Sequence, residues 1–322
     1  MLVFGRLPGL LRIFFISLPL AVILSMGCGA TTPTSAPANS PAPSFGDSMV
    51  ITLGDIDSTD PVKKINRFQP LADYMADGLA DAGIIKGEVI IARDTEEMSR
   101  LLQSGRVDLY FDSPFPALRV QQLSGSRIVL RRWKEGNASY WSTYIALKDS
   151  EINSVQDFLG KVIVFEEPLS TSGFLLPAGT LIQRGFQLKK VTGPDSPVAS
   201  GEIGYFFAGD EENTVALVTS GRAAGGAISN EDYDELPIEI MERLTFFGKT
   251  IVVPRQVVSV APNTDSSLEQ KMLQLLINLD DTEEGRRLLE GLQETRKFDL
   301  LPPESEASLD SLKSLIQLIA EE

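Results

Sequence analysis

From Met49 onward the sequence alternates between two hydrophobic periods, and this alternation limits the folds open to the chain. Val50-Ile51-Thr52-Leu53-Gly54 is a short apolar run that ends on glycine, as a buried strand does. Phe68, Leu71, Met75 and Leu79 then step along one face of a helix closed by Gly83. Glu88 to Ala92 reads as a second strand. Asp94 caps the following helix, with Glu97 as its capping-box partner, and that helix stops at Gly105. Val107, Leu109 and Phe111 alternate as a third strand, and Ser113-Pro114 opens another helix. Further strands are expected at Ile128 to Trp133, Thr143 to Leu147, Val162 to Phe165, Tyr205 to Ala208, Ala223 to Ile228 and Val257 to Val260, interleaved with helices. Leu268, Met272, Leu275 and Leu279 form a helical stripe, as do Leu309, Leu312, Ile316 and Ile319. Strands alternating with helices predict an α/β fold with a largely parallel sheet.

One stretch in this pattern carries chemistry. Val162 to Phe165 runs into a short loop, Ser170-Thr171-Ser172-Gly173 follows, and a helix continues to Arg184. Hydroxyls and a glycine thus stand at a helix N-terminus, where N–H groups lack intrahelical partners and the dipole adds roughly half a positive charge. Such an end binds a tetrahedral anion without a lysine or arginine. The same residues also suit a capped helix with no ligand, and the local sequence alone leaves both readings open.

The pattern Phe165-x-x-Pro168-x-Ser170-Thr171-Ser172-Gly173-Phe174-x-x-Pro177 resembles the signature of the phosphate/phosphite/phosphonate-binding proteins of ABC transporters. Weaker similarities follow in order along the chain: Arg67 to Tyr74, Ser104 to Leu109, Tyr144 to Lys161, Phe207-Ala208-Gly209 with Val215-Ala216-Leu217, and Leu279 to Leu289. The resemblance implies a two-lobed, type II periplasmic-binding-protein-like fold with the ligand in the cleft. Lobe 1 would hold residues 49–143 and 248–322, and lobe 2 residues 144–247. It also implies that Ser170, Thr171, Ser172 and Gly173 hold a phosphorus oxyanion. The expected function is the solute-binding component of an importer, delivering to a membrane permease as a monomer. A ligand-sensing module, or a binder of a different small organic ligand, remains an alternative.

The match departs from the family in two places. The loop after Phe207-Ala208-Gly209 usually carries a histidine, and here it reads Asp210-Glu211-Glu212-Asn213, with Glu212 as the nearest equivalent. Gly221-Arg222-Ala223 is followed by Ala224, where the family tends to have aspartate. A carboxylate facing an anion repels it unless protonated or paired with an amine. An aminoalkylphosphonate would therefore suit a site with one anion-binding end and one acidic end, whereas a solvated surface turn at 210–212 is the other reading. Three more candidate ligand residues are Asp57 and Ser113, each just after a strand at the sheet edge where open α/β sheets bind ligands, and Tyr144 as a cleft wall.

Composition excludes several alternatives. The 322 residues contain no histidine, which removes the commonest general base and metal ligand; no metal and no cofactor is expected. A nucleophilic Ser170 or Ser172 would lack an activating base, so the chain is not expected to be an enzyme. The formal charge of −15 repels nucleic acid. At the N-terminus, Arg6 and Arg12 precede an apolar run from Ile13 to Leu24, and Leu24-Ser25-Met26-Gly27-Cys28 resembles a bacterial lipobox. Residues 1–27 are thus expected to be a signal peptide, with Cys28 lipidated. Residues 28–48, rich in Ala, Thr, Ser and Pro, form a tether to the outer face of the membrane.

Overall fold

The computed structural model describes residues 50–57 and 60–321. The expected signal peptide, the lipidation at Cys28 and the tether lie outside the described residues. The chain enters at β1 (Val50–Ile56), and Pro61 begins α1 (Pro61–Gly78), with the Asp60 side chain accepting from Lys63 N. β2 (Lys86–Ala92), α2 (Thr95–Gln103), β3 (Leu109–Asp112), α3 (Pro114–Ser124) and β4 (Arg127–Arg132) complete the first run. A two-residue strand, β5 (Ser139–Tyr140), then leads into β6 (Ser142–Leu147) and β7 (Val162–Phe165). A single π-helical turn over Thr171–Leu175 runs directly into α4 (Leu176–Gln183). After it come β8 (Gln187–Lys190), β9 (Glu202–Phe207), α5 (Glu211–Thr219), β10 (Gly225–Ser229), α6 (Asn230–Glu235), α7 (Ile238–Met241) and β11 (Leu244–Phe247). The chain returns through β12 (Val253–Pro254) to β13 (Gln256–Val260), α8 (Ser266–Ile277), α9 (Glu283–Gly291), β14 (Phe298–Leu300) and α10 (Pro303–Glu321).

These elements make two six-stranded sheets, ordered β14-β4-β13-β3-β1-β2 and β11-β6-β10-β7-β9-β8, so the fold is the two-lobed α/β architecture expected. The lobes are joined by β5 and β12, which pair antiparallel with Tyr140 opposite Val253. The second sheet is largely parallel, as expected, with β10, β7, β9 and β8 pairing parallel in turn; the first is mixed, with only β2, β1 and β3 pairing parallel. In the first, β13 returns from the other lobe and inserts antiparallel between β3 and β4. In the second, β6 arrives from β5 and runs antiparallel to both β10 and β11. Both of these strands directly follow a crossing between the lobes, β6 after β5 and β13 after β12.

Each sheet buries a core of its own. Ile51 and Leu53 of β1 pack with Phe68, Leu71 and Met75 of α1 in the first lobe. Phe165, Phe174, Leu176 and Leu181 build the second. α10 differs from the expectation that 248–322 belongs wholly to the first lobe. Leu309, Leu312 and Leu315 join the core of the second lobe, where Gly179 of α4 lets Leu315 approach the helix backbone.

Candidate functional site

The carboxyl ends of β1 and β3 face the π-turn across the gap between the sheets. The cleft there has a volume of about 550 Å³. One wall carries Ile56, Asp57, Lys64, Asp112 and Ser113; the other carries residues 166–172, Glu211, Ser229 and Asp232. Tyr140, Arg255 and Gln256 line it from the crossover region.

The π-turn follows from the local sequence. Ser170 is the cap, its Oγ accepting from Gly173 N at 2.8 Å, and Leu175 N donates to Ser170 O at 3.0 Å. Pro177 sits in the first turn of α4, where its missing N–H leaves no bond unmade. Among the described residues no protein acceptor meets the N–H groups of Thr171 or Ser172, nor the Ser172 hydroxyl. Across the cleft, α3 also points its N-terminus inward. Thr171 bridges the two helix starts: its Oγ1 accepts from Phe115 N at 2.9 Å and donates to Ser113 Oγ at 3.1 Å.

Charge in the cleft is distributed unevenly. Lys64 Nζ donates to Asp55 Oδ1 at 2.7 Å and to Ile56 O at 2.9 Å. Burial alone would pull its pKa down, but Asp55 and Asp112 override this and hold the ammonium charged. Asp112 accepts from Tyr110 Oη at 2.6 Å and from Ser113 N at 2.7 Å. The other lining cations are likewise paired: Arg93 with Glu97, Lys134 with Glu135, and Arg255 with both Glu135 and Glu231. Arg255 also lies over the Tyr140 ring, 4.9 Å from its centroid. By contrast, Glu166, Glu167, Glu211 and Asp232 form no salt bridge among the described residues. Burial pushes Glu166 up to about 7. The bond from Ser170 opposes the rise, and Asp232, Glu167 and Glu211 add to it.

Five residues singled out from sequence line this cleft: Asp57, Ser113, Ser170, Thr171 and Ser172. Three others do not. Tyr144 is 1% exposed, donates its hydroxyl to Pro177 O at 2.8 Å and stacks on Phe247, so it is core packing behind the site. Glu212 lies one position too far along α5; Asp210 caps that helix, and Glu211 is the residue that reaches the cleft. A step of one residue turns a helix by about 100°. Gly173 is buried behind the turn, its N–H already taken by Ser170, and the group that lies against it is the Glu166 side chain. Sequence reasoning missed Lys64, Glu166, Glu211, Asp232 and Arg255 as lining residues. Glu166 stood within the signature stretch, and Glu211 within the acidic loop. Arg255 directly follows the crossover strand β12, a position that only the fold identifies.

Comparison with known proteins agrees with this architecture. Residues 55–301 match the family model described as "ABC transporter, phosphonate, periplasmic substrate-binding protein". Over 161 residues the chain is 31% identical to the phosphate-import protein PhnD of Mycolicibacterium smegmatis, covering 48% of each. Over 217 residues it is 25% identical to the phosphonates-binding periplasmic protein of Escherichia coli, covering 65% of this chain and 61% of that one. The chain thus spans about half to three fifths of the curated relatives it matches. The structure superposes on XAC2383 from Xanthomonas citri bound to chloride ion with a TM-score of 0.80 at 28% identity, covering 85% of this chain and 99% of that one. With the matched model extending from β1 to the residue after β14, across both lobes and both crossings, the chain belongs to the periplasmic substrate-binding protein family of phosphonate ABC transporters.

Proposed function

We propose that the chain is the extracytoplasmic solute-binding component of an ABC importer and that it takes a phosphorus oxyanion between its lobes. One observation carries the reading: two helix N-termini, α3 and the π-turn before α4, converge on one cleft from opposite lobes. Thr171 N, Ser172 N and Ser172 Oγ are the donors offered to the oxyanion, with Ser113 opposite and the Lys64 ammonium nearby as counter-charge. Thr171 contributes chiefly by holding the lobes together through its hydroxyl. Glu211, Glu167 and Asp232 form the acidic end, which favours a ligand that carries an ammonium group as well, such as an aminoalkylphosphonate. The protein works by lobe closure: a ligand that touches both walls stabilises the closed arrangement by its differential affinity. An anchor on Cys28 would keep it beside its permease, and Cys28→Ser should move it from the membrane fraction to the soluble one.

Calorimetry with phosphate, phosphite, methylphosphonate and 2-aminoethylphosphonate tests the ligand class. Binding of at least one, and tighter binding of the aminoalkyl compound, is expected; heat from none of the four would refute the reading.

A further inference from the structure

A protein carboxylate sits on the cap of the helix start that the oxyanion should use. Glu166 Oε2 accepts from Ser170 Oγ at 2.7 Å, and that hydroxyl oxygen accepts in turn from Gly173 N. The side chain lies flat on Gly173; a Cβ there would overlap both the Glu166 carboxylate and its Cβ. The backbone of Glu166 is pinned on both sides, its N–H donating to Gly173 O at 3.1 Å and its carbonyl accepting from Gly209 N at 2.8 Å. Its second oxygen, Oε1, takes no protein hydrogen bond among the described residues.

The groups around it are acidic or neutral. Asp232 faces it from α6, Glu211 from the start of α5, Glu167 from the next position, and the Tyr140 phenol from β5. The lining cations Lys64, Arg93, Lys134 and Arg255 are held by other carboxylates. An oxyanion at Ser172 would therefore meet an ionised carboxylate beside it with no cation between them, a repulsive pair in a partly desolvated site. One proton changes this into a charge-assisted O–H···O⁻ bond.

We propose that Glu166, held on the Ser170 cap of the π-turn, is a specificity-determining residue, and that an oxyanion binds there only as Glu166 takes a proton from water and donates it in a hydrogen bond to a ligand oxygen. The proton stays on the Glu166 carboxyl, and no covalent bond forms or breaks. The proposal rests on the oxyanion reading above. It makes anion capture proton-linked: each anion bound above neutral pH brings one proton into the site, and affinity falls about tenfold per pH unit relative to a chain without this carboxyl.

The test is calorimetry with methylphosphonate, on the wild-type chain and Glu166→Gln, at pH 5.5 and pH 8, in buffers of different ionisation enthalpy. Comparing the two proteins cancels protons taken up by the ligand itself. The wild-type chain should take up about one proton more per ligand than the variant at pH 8, and no more at pH 5.5, where Glu166 is already protonated. Equal proton counts at pH 8 would overturn the proposal and leave the oxyanion reading intact; no binding by the wild type at either pH would overturn both. A second readout needs no variant. In ¹³C spectra of the wild-type chain saturated with methylphosphonate at pH 8, the Glu166 carboxyl should resonate as the protonated acid. A resonance at the ionised position under saturation would sink the idea.

Discussion

Ionising Glu166 in the folded chain costs more than ionising it in water, because burial and three neighbouring carboxylates disfavour the charge while only the Ser170 hydroxyl supports it. Its folded pKa is raised from 4.5 to about 7, so the folded state holds this proton more tightly than the unfolded state does. Stability is therefore unaffected below the unfolded value, falls as pH rises between the two values, and carries the full penalty above the folded value. That penalty is about 3 kcal/mol. Glu166→Gln keeps an acceptor for Ser170 and removes the charge. Urea denaturation should find the variant more stable than wild type at pH 8 and about equal at pH 4.5; a difference independent of pH would contradict this cause. At the same scale, Ser172→Ala removes a donor to a charged oxygen and should weaken oxyanion binding about ten- to a hundredfold. Glu211→Gln should erase any preference for 2-aminoethylphosphonate over methylphosphonate, while Glu212→Gln should leave it unchanged; the reverse outcome would restore the residue favoured from sequence. The cleft position of Ser170, Thr171 and Ser172 was legible because the signature that carries the family resemblance is local. Tyr144 and Glu212 were misplaced because facing direction depends on tertiary packing and on one residue of helical phase.

At the scale of elements, the two helix starts are coupled through the Thr171 hydroxyl. Thr171→Val keeps the volume but loses the acceptor for Phe115 N and the donor to Ser113, each worth about 1 kcal/mol. Small-angle scattering without added ligand should show a larger radius of gyration for the variant. An unchanged value would mean that the bridge does not hold the lobes. The helix behind the π-turn depends on α10, since Leu312 is fully buried in the second core. Leu312→Ala should cost about 2–5 kcal/mol in chemical denaturation. The strands with strong apolar runs were readable: Val162–Phe165 is buried at all four positions and falls where the pattern put it. β8 was not, because Gln187–Lys190 buries one side chain of four, and β5 and β12 are two-residue crossings with no period to read. The antiparallel strands β6 and β13 have the same apolar composition as parallel ones, so direction was not written in their residues.

At the scale of the whole molecule, the proposed anion seat lies inside an acidic protein. The formal charge of −15 opposes the approach of a free anion, and the two helix starts would supply the local attraction. Closure over a ligand should reduce the radius of gyration of the wild-type chain. The alternation of periods made the α/β class legible, whereas the two-lobed plan came from the resemblance carried by the signature stretch. The attachment of α10 to the second lobe was not, because its stripe of leucines names no partner. The central claim is that a phosphorus oxyanion sits where α3 and the π-turn converge. A crystal structure of the chain grown with methylphosphonate tests it most directly: the phosphonate oxygens should lie within hydrogen-bonding distance of Thr171 N, Ser172 N and Ser172 Oγ, whereas a phosphonate bound elsewhere, or a cleft without it at saturating concentration, would contradict the account.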